Sequence, residues 1–152
     1  PEDKTDETTQ GVVLAGAKYC AEKYDKPVLT TDVGLFINTL NGFPGVNTKF
    51  SLNRIGNEGI IKLMEGKEDR SADWILSIGY CEANSEAVEF TATTKGAIAK
   101  ALRGDRGFGF DPLFIPQGHE VTLGEDTELR DEVSPFDSAI RQFAEWYKGK
   151  AS

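Results

Sequence analysis

The sequence predicts a mixed α/β or α+β domain, on three observations. Apolar residues recur at helical spacing near the start and at the end of the chain, and two long runs of strand-forming residues flank a four-residue polar turn. A glycine-rich aromatic stretch, Gly107-Phe-Gly-Phe-Asp-Pro-Leu-Phe-Ile-Pro116, separates these strands from the last helix. At 152 residues, helices and a hairpin suit one domain large enough for a sizeable core.

The elements follow in order. From Thr8 to Tyr24, the residues Val13, Ala17, Cys20, Ala21 and Tyr24 form a helical stripe, with Asp6 or Thr8 as cap and Pro27 as terminator. Val28-Leu-Thr-Thr reads as a buried strand that turns at Gly34 and resumes through Leu35-Phe-Ile, which places Asp32 where the strand breaks. Asn41-Gly-Phe-Pro-Gly45 is a turn cluster. A second helix is expected from Asn57 to Glu65, with Ile60, Ile61 and Met64 on one face and Gly66 ending it. Ala72 to Glu82 and Ala87 to Thr94 form a hairpin about Ala83-Asn-Ser-Glu86, and Lys95 to Ala99 extends the sheet. Ser134 caps the last helix, Pro135 takes its first position, and Ile140, Phe143, Ala144 and Tyr147 form its apolar stripe.

Composition narrows the function. A formal net charge of −8 argues against a nucleic-acid groove, which depends on clustered Lys and Arg. One small anionic ligand is compatible with it if a divalent cation offsets the repulsion. No apolar run approaches a membrane span and no signal peptide opens the sequence, so a cytoplasmic protein is expected. Cys20 and Cys81 lack the spacing of a zinc site and read as buried free thiols. No repeat or linker marks an internal boundary.

The glycine-aromatic loop carries the sharpest chemical signal. Its glycines permit positive φ and close backbone approach, Phe108 and Phe110 offer flat faces, and Asp111 before Pro112 is biased to extended backbone. These residues suit a planar polar ligand such as a nucleobase; they also suit a glycine-hinged loop entering a buried strand, Leu113-Phe-Ile. Asp32 is the best-placed carboxylate for divalent-metal phosphate chemistry, although a turn aspartate bonded locally would look the same. Glu2 and Glu7 are nominally available, but near a polar terminus they read as solvated. The single His119 reads as a surface residue, which argues against a catalytic triad or zinc. Phe143, Trp146 and Tyr147 read as core or interface, and Arg103, Arg106 and Arg130 each as solvated, with phosphate binding the alternative.

Several segments together resemble one family, the inosine triphosphate pyrophosphatases. Val28-Leu-Thr-Thr-Asp-Val-Gly-Leu resembles its strand of paired acids before Ser-Gly-Leu, and Leu40-Asn-Gly-Phe-Pro-Gly-Val resembles its Leu-x-Gly-x-Pro-Gly-Val turn. Arg103-Gly-Asp-Arg-Gly-Phe-Gly-Phe-Asp-Pro-Leu-Phe resembles its Arg-Gly-x-x-Gly-Phe-Gly-Tyr-Asp-Pro-x-Phe loop. Ile55 to Gly66, Thr122 to Glu125 and the terminal Phe-Ala-Glu-Trp helix are similar to archaeal-type members. The resemblance implies an elongated mixed sheet with flanking helices, forming two lobes around a nucleotide groove. It also implies a homodimer that hydrolyses ITP, dITP or XTP at the α–β anhydride with Mg²⁺. Asp32 matches the catalytic aspartate and Glu2 the metal-binding glutamate, Asp32 serving the metal as well. Phe108 matches the base-stacking aromatic, with Gly109, Asp111, Arg130 and Ser134 completing the implied substrate site.

The departures carry information too. Where the family has Ser-His-Arg, this chain has Ser134-Pro135-Phe136, so two donors expected to recognise a 6-keto purine are replaced. Thr31 replaces the first acid of the pair, Val33 a hydroxyl residue, and Arg130 a lysine. These changes leave a rival reading open, a catalytically weakened nucleotide-binding or structural homologue. Family members also begin with a strand, a Ser-Gly-Asn-x-x-Lys phosphate loop and a helix that precede the position of Pro1, so the natural polypeptide is expected to be longer.

Overall fold

In the computed structural model, which describes residues 6–151, the first helix α1 runs Thr9–Tyr24. Thr8 caps it by accepting from Gly11 N at 3.0 Å, and Asp6 Oδ1 in turn accepts from the Thr8 backbone N and hydroxyl, both at 2.8 Å. Val13, Ala17 and Ala21 form its buried stripe, and Asp25, in the left-handed region at φ 50°, closes it before Pro27.

The strands are β1 (Val28–Ile37), β2 (Pro44–Gly45), β3 (Ser71–Cys81), β4 (Val88–Ile98) and β5 (Phe114–Pro116), in the sheet order β2-β1-β3-β4-β5. β1 opens where β3 ends, Val28 packing against the apolar cluster that contains Cys81, and closes where β3 begins, Asn38 Nδ2 donating to Ser71 Oγ at 2.8 Å. These two therefore run antiparallel, as do β1 with β2 and β4 with β5. One sheet with helices beside it is the expected α/β arrangement.

β1 corrects one expectation. It is continuous through Gly34, so Asp32 lies inside a strand and not at a break. Gly34 serves a close approach instead of a turn: a Cβ there would sit 2.3 Å from the Gly45 carbonyl oxygen of the paired β2. The turn cluster brings β2 back onto β1 in the register Leu35↔Gly45 and Phe36↔Pro44, with a cis Phe43–Pro44 peptide.

The second helix, α2, spans Thr48–Leu63 and is interrupted at Gly56, whose φ of 67° and ψ of 178° are not helical. Its later half agrees with the predicted helix. The earlier half escapes prediction because its buried positions are Thr48 and Ser51, while Phe50 and Ile55 face solvent. A short helix α3, Thr127–Val133, has no apolar pattern to announce it; it buries Leu129 alone and is capped by Asp126, which accepts from Glu128 N and Leu129 N. The last helix, α4, runs Pro135–Ala151 as expected. No helix among the described residues is long and apolar enough to cross a membrane.

The chain divides into two compact units. One comprises Pro1–Val33, Ile75–Ala92 and Pro135–Ser152; the other Gly34–Trp74 and Thr93–Ser134. In the first, Ala17, Ala21 and Cys81 form one apolar cluster and Leu76, Ile78 and Ala139 another. Cys81 is buried, which pushes its thiol pKa up, whereas Cys20 is only half-buried. Phe143, Trp146 and Tyr147 pack edge-on or tilted around Tyr80, with ring centroids 5.4 to 5.9 Å away. In the second, Trp74, Phe110, Leu113 and Phe114 anchor a single larger core.

Tyr80 gives the first unit a distinct alkaline response. Its phenol is pushed up to about 12, first by burial and then by donating to Glu82 Oε1 at 2.8 Å. The value in the unfolded chain is the ordinary 10, so the stability this group contributes is complete below pH 10 and is lost as pH rises towards 12. Urea midpoints should therefore fall less between pH 9 and pH 11.5 in Tyr80→Phe than in the unmodified protein. Parallel falls would refute this.

Candidate functional site

The glycine-aromatic loop places a single aromatic ring in solvent. Phe108 is 68% exposed, whereas Phe110, its expected companion, is 7% exposed and packs edge-on against Trp74 and Phe114. Hydrophobicity alone cannot separate the two residues; backbone direction does. Gly107 and Gly109 both have positive φ, 79° and 61°, and turn the chain on either side of Phe108 so that its ring points out.

Three groups converge on that residue. Asp111, 1% exposed, accepts from Phe108 N at 2.9 Å through Oδ2. Arg130 Nε donates to both Asp111 oxygens, at 3.1 and 3.0 Å. The Arg130 guanidinium carbon lies 4.1 Å from the Phe108 ring centroid and 4.9 Å from that of Trp74, so the cation is within cation–π reach of both an exposed ring and a buried one. Arg130 is therefore not solvated as its composition context suggested; its side chain is 20% exposed and ion-paired. Asp111 opens a 3-10 turn, Asp111–Leu113, instead of an extended segment, because its carboxylate is committed to the loop and to Arg130.

Gly107 is required twice over here. Besides its φ of 79°, a Cβ would fall 2.2 Å from Asp111 Oδ2. At Gly109 a Cβ would meet nothing within 4 Å, and its carbonyl is tied down by Asn57 Nδ2 at 2.9 Å. Asn57, at the start of the later half of α2, thus fixes the outer side of the loop, a contact no local signal in the sequence announces. Arg103 and Arg106 hold the loop's approach: Arg103 pairs with Glu125 at 2.9 Å and donates to the Glu120 carbonyl at 2.7 Å, and Arg106 donates to the Glu125 carbonyl. Glu125, accepting from Thr122 N and facing Arg103, has its pKa lowered.

Asp32 belongs to the first unit, and the loop residues to the second. It is 8% exposed, a buried carboxylate inside a strand. Strand alternation sends Thr31 and Val33 to the exposed face, opposite to Asp32. Among the described residues no three His, Cys, Asp or Glu side chains gather into a self-sufficient metal site. A Mg²⁺ ion held largely by substrate phosphates and water needs only one or two carboxylates, so a single buried Asp32 is a fitting donor. Glu2 lies outside the described residues. His119 is exposed, as expected.

The sequence as a whole matches the model of the Ham1 family over residues 1–146. The chain belongs to the Ham1 family. Among Ham1 relatives, the dITP/XTP pyrophosphatase of Methanopyrus kandleri is 44% identical over 153 residues, covering 100% of this chain and 81% of that protein. The dITP/XTP pyrophosphatase of Methanosarcina acetivorans is 44% identical over 153 residues, covering 99% and 81%. A solved HAM1 protein of Coxiella burnetii superposes with a TM-score of 0.86 at 26% identity, covering 98% of this chain and 81% of that one. The Staphylococcus aureus Ham1 protein shares the fold with a TM-score of 0.88 at 24% identity, covering 97% and 80%.

Proposed function

We propose that this Ham1-family chain hydrolyses non-canonical purine nucleoside triphosphates, such as dITP, ITP and XTP, to the monophosphate and pyrophosphate. The observation that carries the reading is the Phe108 ring, 68% exposed yet held in place by the ion pair of buried Asp111 with Arg130. An exposed aromatic has no packing reason to be fixed so firmly, whereas a stacking platform gains from pre-organisation. The similarity to two dITP/XTP pyrophosphatases supports the same chemistry.

In this reading the base stacks on Phe108, within reach of the open loop backbone at Gly109 and of Ser134 ahead of α4. Asp32 accepts a hydrogen bond from the attacking water and holds it in line with the α–β anhydride. Mg²⁺, when bound, neutralises charge developing on the phosphates. Asp32 would hold it, with Glu2 as the second carboxylate that the family resemblance implies. Homodimer formation, also implied by that resemblance, and the cytoplasmic location expected from composition belong to the same proposal.

Base selectivity is expected to be weak. Pro135 and Phe136 stand where two hydrogen-bonding side chains are expected, and Phe136 is 44% exposed, so an apolar side chain replaces a donor. Sites that hydrogen-bond a distinguishing group reject its analogue by about 10⁴-fold or more, and sites that rely on apolar contact by about 10²-fold. A pyrophosphate-release assay over ITP, dITP, XTP, ATP and GTP tests both statements. Release from the non-canonical purines, with a preference of about 10²-fold or less, is the expected result. No release from any triphosphate would overturn the proposal.

A further inference from the structure

In the first unit, Asp32 shares one face of the sheet with a line of hydroxyl groups. Strand alternation puts Thr30 on the same face of β1 as Asp32. Thr30 Oγ1 donates to the Val13 carbonyl of α1 at 2.8 Å, so α1 covers this face. On the neighbouring strand, a Cβ at Gly79 would lie 2.6 Å from Thr30 Oγ1 and 2.5 Å from the same Val13 carbonyl oxygen, so Gly79 stands beside Thr30. Because β1 and β3 are antiparallel, a step of two residues along each strand brings Asp32 beside Ser77 on that face. The helix agrees with this register: Thr9, one turn before Val13, meets Ser77 with its Oγ1 2.8 Å from Ser77 Oγ.

Ser77 therefore has Asp32 on one flanking strand and Thr91 on the other, and one proton to give. Its Oγ lies 2.6 Å from Thr91 Oγ1, and Thr91 Oγ1 donates to Glu89 Oε2 at 2.6 Å. Thr91 has spent its own proton on a carboxylate, so it can only accept from Ser77. Ser77 has then spent its proton too, and can only accept from Thr9. The chain thus runs from Thr9 through Ser77 and Thr91 to Glu89, ordered by its charged end, and Thr9 and Ser77 are buried away from water that could reverse it. We infer that Thr91 and Glu89 are positioning residues for Asp32: they draw the Ser77 proton across the sheet, so that Ser77 does not compete with the attacking water for the Asp32 carboxylate. Hydrogen bonds to charged groups are the strong ones, so a Ser77 hydroxyl without Thr91 would turn to Asp32.

The inference rests on the proposed role of Asp32, so one arm of its test needs catalysis and the other does not. Thr91→Val keeps the shape of the side chain and removes the acceptor. It should lower kcat for ITP by roughly tenfold, the scale of one hydrogen bond to a charged group, and leave KM within about twofold. Removing the Ser77 hydroxyl as well, in Ser77→Ala with Thr91→Val, should return kcat to within about threefold of the unmodified protein, because no misdirected donor is left. An unchanged kcat in Thr91→Val would overturn the inference. So would a loss that persists in the double variant, which would mean that Thr91 acts through packing. The other arm reads Asp32 itself, by NMR of isotope-labelled aspartate carboxyl carbons, without nucleotide or metal. The Asp32 resonance, identified by its absence from Asp32→Asn, should move in Thr91→Val and return in the double variant. A resonance that Thr91→Val leaves in place would overturn the inference whatever the assays give. If the unmodified protein releases pyrophosphate from no triphosphate, the proposed function fails, and the resonance still decides where the Ser77 proton points.

Discussion

Replacing Asp32 with Asn should lower kcat for pyrophosphate release from ITP by about 10²- to 10⁴-fold, the range that a positioned proton acceptor contributes. The change keeps the shape of the side chain and removes its charge, so the strand should survive it. Asp32 is 8% exposed inside β1, and its neighbours Thr31 and Val33 face the other way, so their departures from the family pattern leave its side of the strand untouched. Phe108, the proposed base platform, belongs to the other compact unit, so KM should change much less than kcat. Far-UV circular dichroism and a urea midpoint matching the unmodified protein would show that folding is not the cause. A kcat within tenfold of the unmodified enzyme would remove Asp32 from the catalytic role, whereas no release by the unmodified protein itself would favour the rival reading of a nucleotide-binding homologue.

The sequence made the long elements legible because their buried faces are apolar at the period of the structure. Val13, Ala17 and Ala21 mark α1, and the β3–β4 hairpin was visible from its two runs and its polar turn. Elements held by polar groups were not legible. The first half of α2 buries Thr48 and Ser51, where Thr48 accepts from Leu35 N and donates to the Gly45 carbonyl, and no hydrophobic pattern can report that. At the site, glycines and aromatics suit a planar ligand, and only the family resemblance, not the residues themselves, singles out Phe108 over Phe110. Nor could it show that Arg130, 19 residues along the chain from Asp111, would close an ion pair with it. That contact depends on α3, a seven-residue helix with one buried side chain and a capping aspartate as its only local signal.

Asp111→Ala should cost about 2 to 4 kcal/mol of stability, somewhat below the 3 to 5 typical of a broken buried pair, because Arg130 keeps 20% of its side chain in water. The carboxylate is 1% exposed and accepts from Phe108 N and from Arg130 Nε, so its removal leaves an uncompensated cation and an unpaired backbone donor in one place. Urea denaturation would measure the loss, and a change below about 0.5 kcal/mol would show that the pair does not hold the loop. Coupling to Gly107 provides an independent check. Gly107→Ala in the unmodified protein meets two penalties, a φ of 79° and a Cβ placed 2.2 Å from Asp111 Oδ2. In the Asp111→Ala background the 2.2 Å clash is gone, a 3.1 Å approach to the Cβ of residue 111 is left, and the backbone strain, about 1 kcal/mol, remains. The two substitutions together should therefore destabilise by less than the sum of the single changes, with a coupling of about 1 kcal/mol or more. Simple additivity would mean that the loop relaxes away from Asp111, and that Phe108 is oriented by something other than the carboxylate behind it.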